Sequence, residues 1–250
     1  MTIPADYNGT IDLNGKTINA TGAKGLIVTE NSNITIKNGN IISTNMGIRM
    51  EGSNSTLNIS NDVEVNSGDC CIFVPQNSEN VTVNITGGNL TSTSNSNAAI
   101  CTNGLLSNST MNISGGSIVS ENSVAVYFPS NGNLTITGGE ITGKESAVEY
   151  RGTGLLKITG GTFTSTGSPF TQQANGNGST TVAAAVTVVP HAGRTSNVEF
   201  TGGTFKATNN DCYAYWIGTE TANGTTLTTG SIGTVSISGV TTTGQIYSCK

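Results

Sequence analysis

The sequence predicts an all-β chain wound as a single parallel β-helix of about eight to ten coils. Three observations carry this. One five-residue phrase recurs: NITGG at 84–88, NISGG at 112–116, TITGG at 135–139, KITGG at 157–161 and EFTGG at 199–203. Around each copy, apolar and polar residues alternate, as in Val81, Val83, Ile85 or Leu134, Ile136. That period of two marks a strand with one buried face. No helical periodicity appears anywhere in the chain.

The central apolar residue of each phrase gives a marker: Ile36, Ile59, Ile85, Ile113, Ile136, Ile158, Phe200 and Ile237. Their spacings are 23, 26, 28, 23, 22, 42 and 37 residues. A regular period of this size signals a stacked repeat. Past the glycines stands a second apolar residue: Ile41, Leu90, Ile118, Ile141, Phe163, Phe205. A third apolar segment follows, as in GLIV 25–28, GIRM 47–50, CIFV 71–74, AAIC 98–101, AVYF 125–128, AVEY 147–150, AAAV 183–186 and AYW 214–216. Each coil is thus expected to carry three short strands, with the marker buried and Gly-Gly at a corner where positive φ is tolerated. A propeller needs hairpin-linked blades of four antiparallel strands, and these coils are too short for that. One domain spans 1–250, with Gly/Ser/Thr/Asn-rich loop insertions near 164–182 and 217–234.

GTIDLNGKTI at 9–18, followed by the repeated Ile-Thr/Ser-Gly-Gly phrase, resembles the right-handed parallel β-helix proteins of the pectate-lyase-like superfamily. Within it, the chain is most similar to the bacterial surface-protein branch. The resemblance runs from about Gly9 to Gly239. It implies fold more than function, because lyases, hydrolases, adhesins, phage tailspikes and inert stalks share that fold.

Only 10% of the residues are charged, against roughly 25% in an average domain. The exterior is therefore Asn, Thr and Ser. With a net charge of −5 and no basic cluster, nucleic acid is not an expected partner. No apolar run reaches the ~18 residues of a membrane span. MTIPADYNGT has neither the basic head nor the apolar core of a secretory signal. The chain therefore reads as intracellular or as a mature or recombinant fragment. The resemblance points to the second, with an extracellular or cell-surface location.

Acid–base catalysis on sugars needs carboxylates within several ångströms of one another. The acids here do not stack in that way. Asp69 and Asp211 precede equivalent strands but are five coils apart, about 24 Å at ~4.8 Å per coil. The densest charge group is Glu140, Lys144, Glu145, Glu149 and Arg151. Glu149 and Arg151 are the catalytic candidates it offers, although a solvated surface ion cluster is the simpler expectation. His191, the only histidine, lies in a loop near Arg194 without the second ligand or triad partner that metal or nucleophilic chemistry needs. No cofactor and no metal site are expected. The five cysteines match no zinc spacing and are expected to be mostly buried thiols, with a Cys212–Cys249 bridge left open.

The third-strand segments should present an outward row of Arg49, Phe73, Cys101, Tyr127, Glu149, Thr187 and Tyr215, with Trp216 turned inward. Aromatic rings on a neutral polar sheet suit stacking on sugars. Arg49, Phe73, Tyr127, Glu149 and Tyr215 are therefore the expected ligand-binding residues. The expected partners are a polysaccharide or a cell-surface glycan, with self-association through the open coil ends as a further route. Three functions follow. The first is a non-catalytic surface module that binds glycans, adheres or acts as a spacer. The second is a polysaccharide lyase or hydrolase, and the third is a phage tailspike or fibre component.

Overall fold

The computed structural model describes residues 1–104, 107–169, 183–223 and 226–249. These residues contain no helix, and their parallel strands stack as a β-solenoid of about eight turns. Three ladders run along it. The first two merge into a sixteen-stranded sheet, because Asn33–Ser43 runs unbroken through both of them. The third is a ten-stranded sheet that opens with Thr2–Ile3 and ends with Gln245–Ser248.

The markers align rung by rung. Ile36, Ile59, Ile85, Ile113, Ile136, Ile158, Phe200 and Ile237 form one continuous column of the first ladder. Ile41, Val65, Leu90, Ile118, Ile141, Phe163 and Phe205 form the matching column of the second. These columns and the inward residues of the third ladder make one apolar core. Each fully buried aliphatic side chain stabilises the fold by roughly 1.5–3 kcal/mol relative to exposure. Towards the C-terminal end the core widens into rings, with Phe163, Phe200, Phe205 and Tyr215 meeting edge to face.

The corners between ladders explain the repeated punctuation. The second glycine of each pair has positive φ, from +85° at Gly88 to +103° at Gly203. Space is also short there. A Cβ at Gly116 would lie 2.7 Å from the backbone of Gly87 and Gly88 in the preceding coil. A second corner uses asparagine in the left-handed region, at Asn31, Asn54, Asn80 and Asn108. Their side-chain amides join in a row. Asn31 donates to Asp6, Asn54 to Asn31, Asn80 to Asn54 and Asn108 to Asn80, at 3.0–3.3 Å. Asparagine visits this conformation more readily than other side chains, and stacking one above another satisfies amides that would otherwise need water. A third corner is lined by the column Ser43, Ser67, Ser92, Ser120, Gly143, Ser165 and Ala207. Several of these hydroxyls donate to the turn that follows the strand of the preceding coil, as Ser92 does to the Asp69 carbonyl at 2.6 Å.

Within the 217–234 insertion, Glu220–Asn223 and Thr226–Thr229 pair as an antiparallel hairpin. Of the 164–182 insertion, residues 170–182 lie outside the described set. All five cysteines are free thiols, so Cys212, which is buried, and Cys249, which is exposed, are not bridged. Among the described residues, no helix is long and apolar enough to cross a membrane.

Candidate functional site

The outward row of the third ladder builds the site. Its register aligns Arg49, Phe73, Cys101, Tyr127, Glu149 and Thr187 on successive rungs. The next members are Trp216 and Tyr247, not Tyr215. Tyr215 instead lies opposite Val186, is 8% exposed and packs on Phe200 and Phe205. The expected outward Tyr215 and inward Trp216 are thus exchanged. The cause is a two-residue inward entry to these strands, seen as Ala99-Ile100, Ala125-Val126, Ala147-Val148, Ala185-Val186 and Ala214-Tyr215, all buried. Simple alternation breaks at that entry. Aligning the alanines would have found the register.

Around the rungs of Phe73, Cys101 and Tyr127 lies a cavity of about 660 Å³. Its floor is apolar: Ala98, Val124 and Tyr127 pack together with Cys101 beside them. Asn97 and Ser123 line one side, before the strands, and Gln76, Asn103 and Pro129 line the other, after them. The turn after strand Ala184–Val188 folds back over it, bringing His191 and Arg194 into the lining. The His191 amide donates to the Arg151 carbonyl at 3.0 Å, which anchors the turn's start. The Arg194 guanidinium anchors its end, donating to the Pro129 carbonyl at 3.0 Å, to Asn131 Oδ1 at 2.6 Å and to the Gly104 carbonyl. Nε2 of His191 hydrogen-bonds the Tyr127 hydroxyl at 3.3 Å, with the donor set by the imidazole tautomer.

Among the described residues, the one charged side chain in the lining is Arg194. No carboxylate is among the lining residues. Burial, reinforced by Arg151 and Arg194, pushes His191 down to about 3 and keeps its ring uncharged at neutral pH. Burial also raises the Tyr127 hydroxyl above its ordinary value, with Glu149 adding to the effect. A hydrogen bond with the Cys101 thiol, followed by burial, raises Cys70.

Glu149 and Arg151 are not the solvated surface pair that was expected. They are 1% and 0% exposed and meet at 3.0 Å. Glu149 does follow Tyr127 in the outward row, but that part of the face is covered. Burial pushes its carboxyl up to about 8, with Arg151 pulling the other way. Among the described residues, Arg151 Nε and Nη2 have no hydrogen-bond partner. Neither residue lines the cavity. Arg49 sits one rung before Phe73, with its guanidinium carbon 5.2 Å from the Phe73 ring centroid and its Nε 2.6 Å from Glu51. Of the expected ligand-binding residues, Phe73 and Tyr127 therefore line the cavity. Arg49 borders it, Glu149 lies buried on the rung after Tyr127, and Tyr215 belongs to the core.

Sequence reasoning missed the amide and hydroxyl walls, because Gln76, Asn97, Asn103 and Ser123 look like any other residue of an Asn/Ser-rich chain. It also missed Arg194 as the staple of the roof. Among the described residues, no group of three His, Cys, Asp or Glu side chains is placed to hold a metal ion. An apolar floor with amide and hydroxyl groups along its walls, and the Arg194 guanidinium in the turn above, can hold a compact, hydroxyl-rich molecule. No family model, curated protein or solved structure matches the chain.

Proposed function

We propose that this protein is a non-catalytic β-helix module, secreted or displayed at the cell surface, that binds a glycan in the cavity beside Phe73 and Tyr127. One observation carries the reading: the cavity combines a ring-bearing apolar floor with amide and hydroxyl walls and contains no carboxylate. Sugars have the same division, with apolar C–H faces and a polar rim. The repeat's likeness to pectate-lyase-like surface proteins supports this reading. A glycan array probed with the wild type, Phe73→Ala and Asn103→Ala tests it. Selective binding by the wild type, weakened in both variants, is expected. Binding unchanged in both would sink the assignment.

One observation favours a second reading, polysaccharide cleavage. His191 Nε2 and the Tyr127 hydroxyl meet in the lining and place an imidazole beside a phenol, although burial leaves the imidazole a weak base and the phenol a weak acid. Incubating polysaccharides with the protein and assaying new reducing ends and unsaturated products decides between them. Catalytic turnover would replace the binding-only reading.

A further inference from the structure

A second surface lies farther along the same outward row. Trp216 and Tyr247 occupy its last two rungs and stack with centroids 4.0 Å apart and planes 19° from parallel. Tyr213 braces Trp216 edge-on at 4.8 Å. Gly218 leaves room for the indole, because a Cβ there would lie 2.7 Å from Trp216 Nε1. The rings hold one another in place, so a ligand would immobilise little on binding. Tyr247 is nevertheless 40% exposed, a large apolar side chain left facing solvent.

We propose that Tyr213, Trp216 and Tyr247 form a second saccharide subsite, a platform for an uncharged pyranose ring. The proposal rests on the reading of the protein as a glycan binder but not on the cavity. Buried Glu149 and Thr187 separate Tyr127 from Trp216 in the row. Three rungs at ~4.8 Å put the two surfaces about 14 Å apart. Size and charge favour a single neutral sugar ring. Strands Tyr213–Ile217 and Gln245–Ser248 carry no charged side chain, and Gln245, in register with Tyr213, supplies an amide beside the rings. A single sugar ring matches one aromatic face, and its hydroxyl rim suits the polar border.

Trp216 is the chain's only tryptophan, so its fluorescence reports on this platform. The full chain would be titrated with cellohexaose, maltohexaose and chitohexaose, following fluorescence and calorimetry together. The expected result is a saturable change in Trp216 emission with at least one hexaose. Tyr247→Ala should weaken it about tenfold, the loss of one ring stack, while Tyr247→Phe keeps it. Calorimetric binding that is abolished by Phe73→Ala and silent in fluorescence overturns the platform and leaves the cavity standing. A fluorescence response that survives Tyr247→Ala also overturns it, as does failure of all three hexaoses to bind. An emission change that follows protein concentration, with a rising mass in light scattering, would show a second copy covering the rings and would overturn it as well. Circular dichroism of Tyr247→Ala confirms that the solenoid is intact.

Discussion

The Tyr127 hydroxyl and His191 Nε2 meet at 3.3 Å although 64 residues separate them in sequence. The contact ties the turn that roofs the cavity to the cavity's floor. Arg194 adds bonds to Gly104, Pro129 and Asn131, so that one short turn clamps earlier coils. Arg194→Ala should therefore lower the melting temperature by several degrees, since bonds to a charged donor contribute about 1.5–3 kcal/mol each. It should also weaken glycan binding more than Phe73→Ala does, because the roof loses its anchor. A variant that melts as the wild type does would show that the turn holds without the staple.

Buried Glu149 and half-buried His191 should give stability opposite pH limbs. His191 has its pKa pushed down to about 3, against 6.5 as its ordinary value. The unfolded chain therefore takes up the proton first, and stability should fall as pH drops below about 6.5. Glu149 is raised to about 8 from 4.5, so the folded state keeps its proton longer. Its contribution is full below about 4.5 and is lost as pH rises through about 8. Thermal melts from pH 4 to pH 9 should thus decline at both ends. His191→Gln should flatten the acid limb and Glu149→Gln the alkaline limb. A profile unchanged by either variant would contradict the assignment.

The buried column at Ile136 should be costly to interrupt. Ile136 is fully buried between Ile113 and Ile158. Ile136→Ala should cost about 2–5 kcal/mol in urea unfolding, from lost transfer energy and the cavity left in a stack that cannot slide closed. A loss below about 1 kcal/mol would mean that the rungs collapse around the gap.

The corners should be equally intolerant for a different reason. Gly116→Ala places a methyl against Gly87 and Gly88 at a φ of +86°. A loss of at least ~1–3 kcal/mol is expected from the strained backbone alone. Asn80→Ala removes one amide that both donates to Asn54 and accepts from Asn108. Because Asn80 is exposed, its cost should be smaller, about 1–2 kcal/mol. Equal effects for the two would show that crowding adds nothing at the glycine corner.

Most of the fold could be read from the chain because the repeat fixes it locally. Every marker from Ile36 to Ile237 lands in a single column, since an in-register parallel stack brings equivalent residues together whatever the coil length. The glycine corners were legible for the same reason. The site was less so. Alternation puts Glu149 on the solvated side because it reports which side of a strand a residue faces, not whether that side is covered. Tyr215 and Trp216 were exchanged because two consecutive residues turn inward at the strand entry. Arg194 reaches its partners across 63 to 90 residues, and no local pattern announces such a bond.

The asparagine row that begins at Asp6 has a direction. Each amide from Asn31 to Asn108 donates its N–H towards the preceding coil, and the oxygens of Asn31, Asn54 and Asn80 accept from the next. Dipoles aligned in this way polarise one another, so the solenoid has an electrically distinct beginning and end along this edge. In the next coil, the oxygen of Asn131 is given to Arg194 instead. The edge thus changes from a self-complementary wire to the clamp that closes the cavity, and it does so beside the coils that build the proposed site.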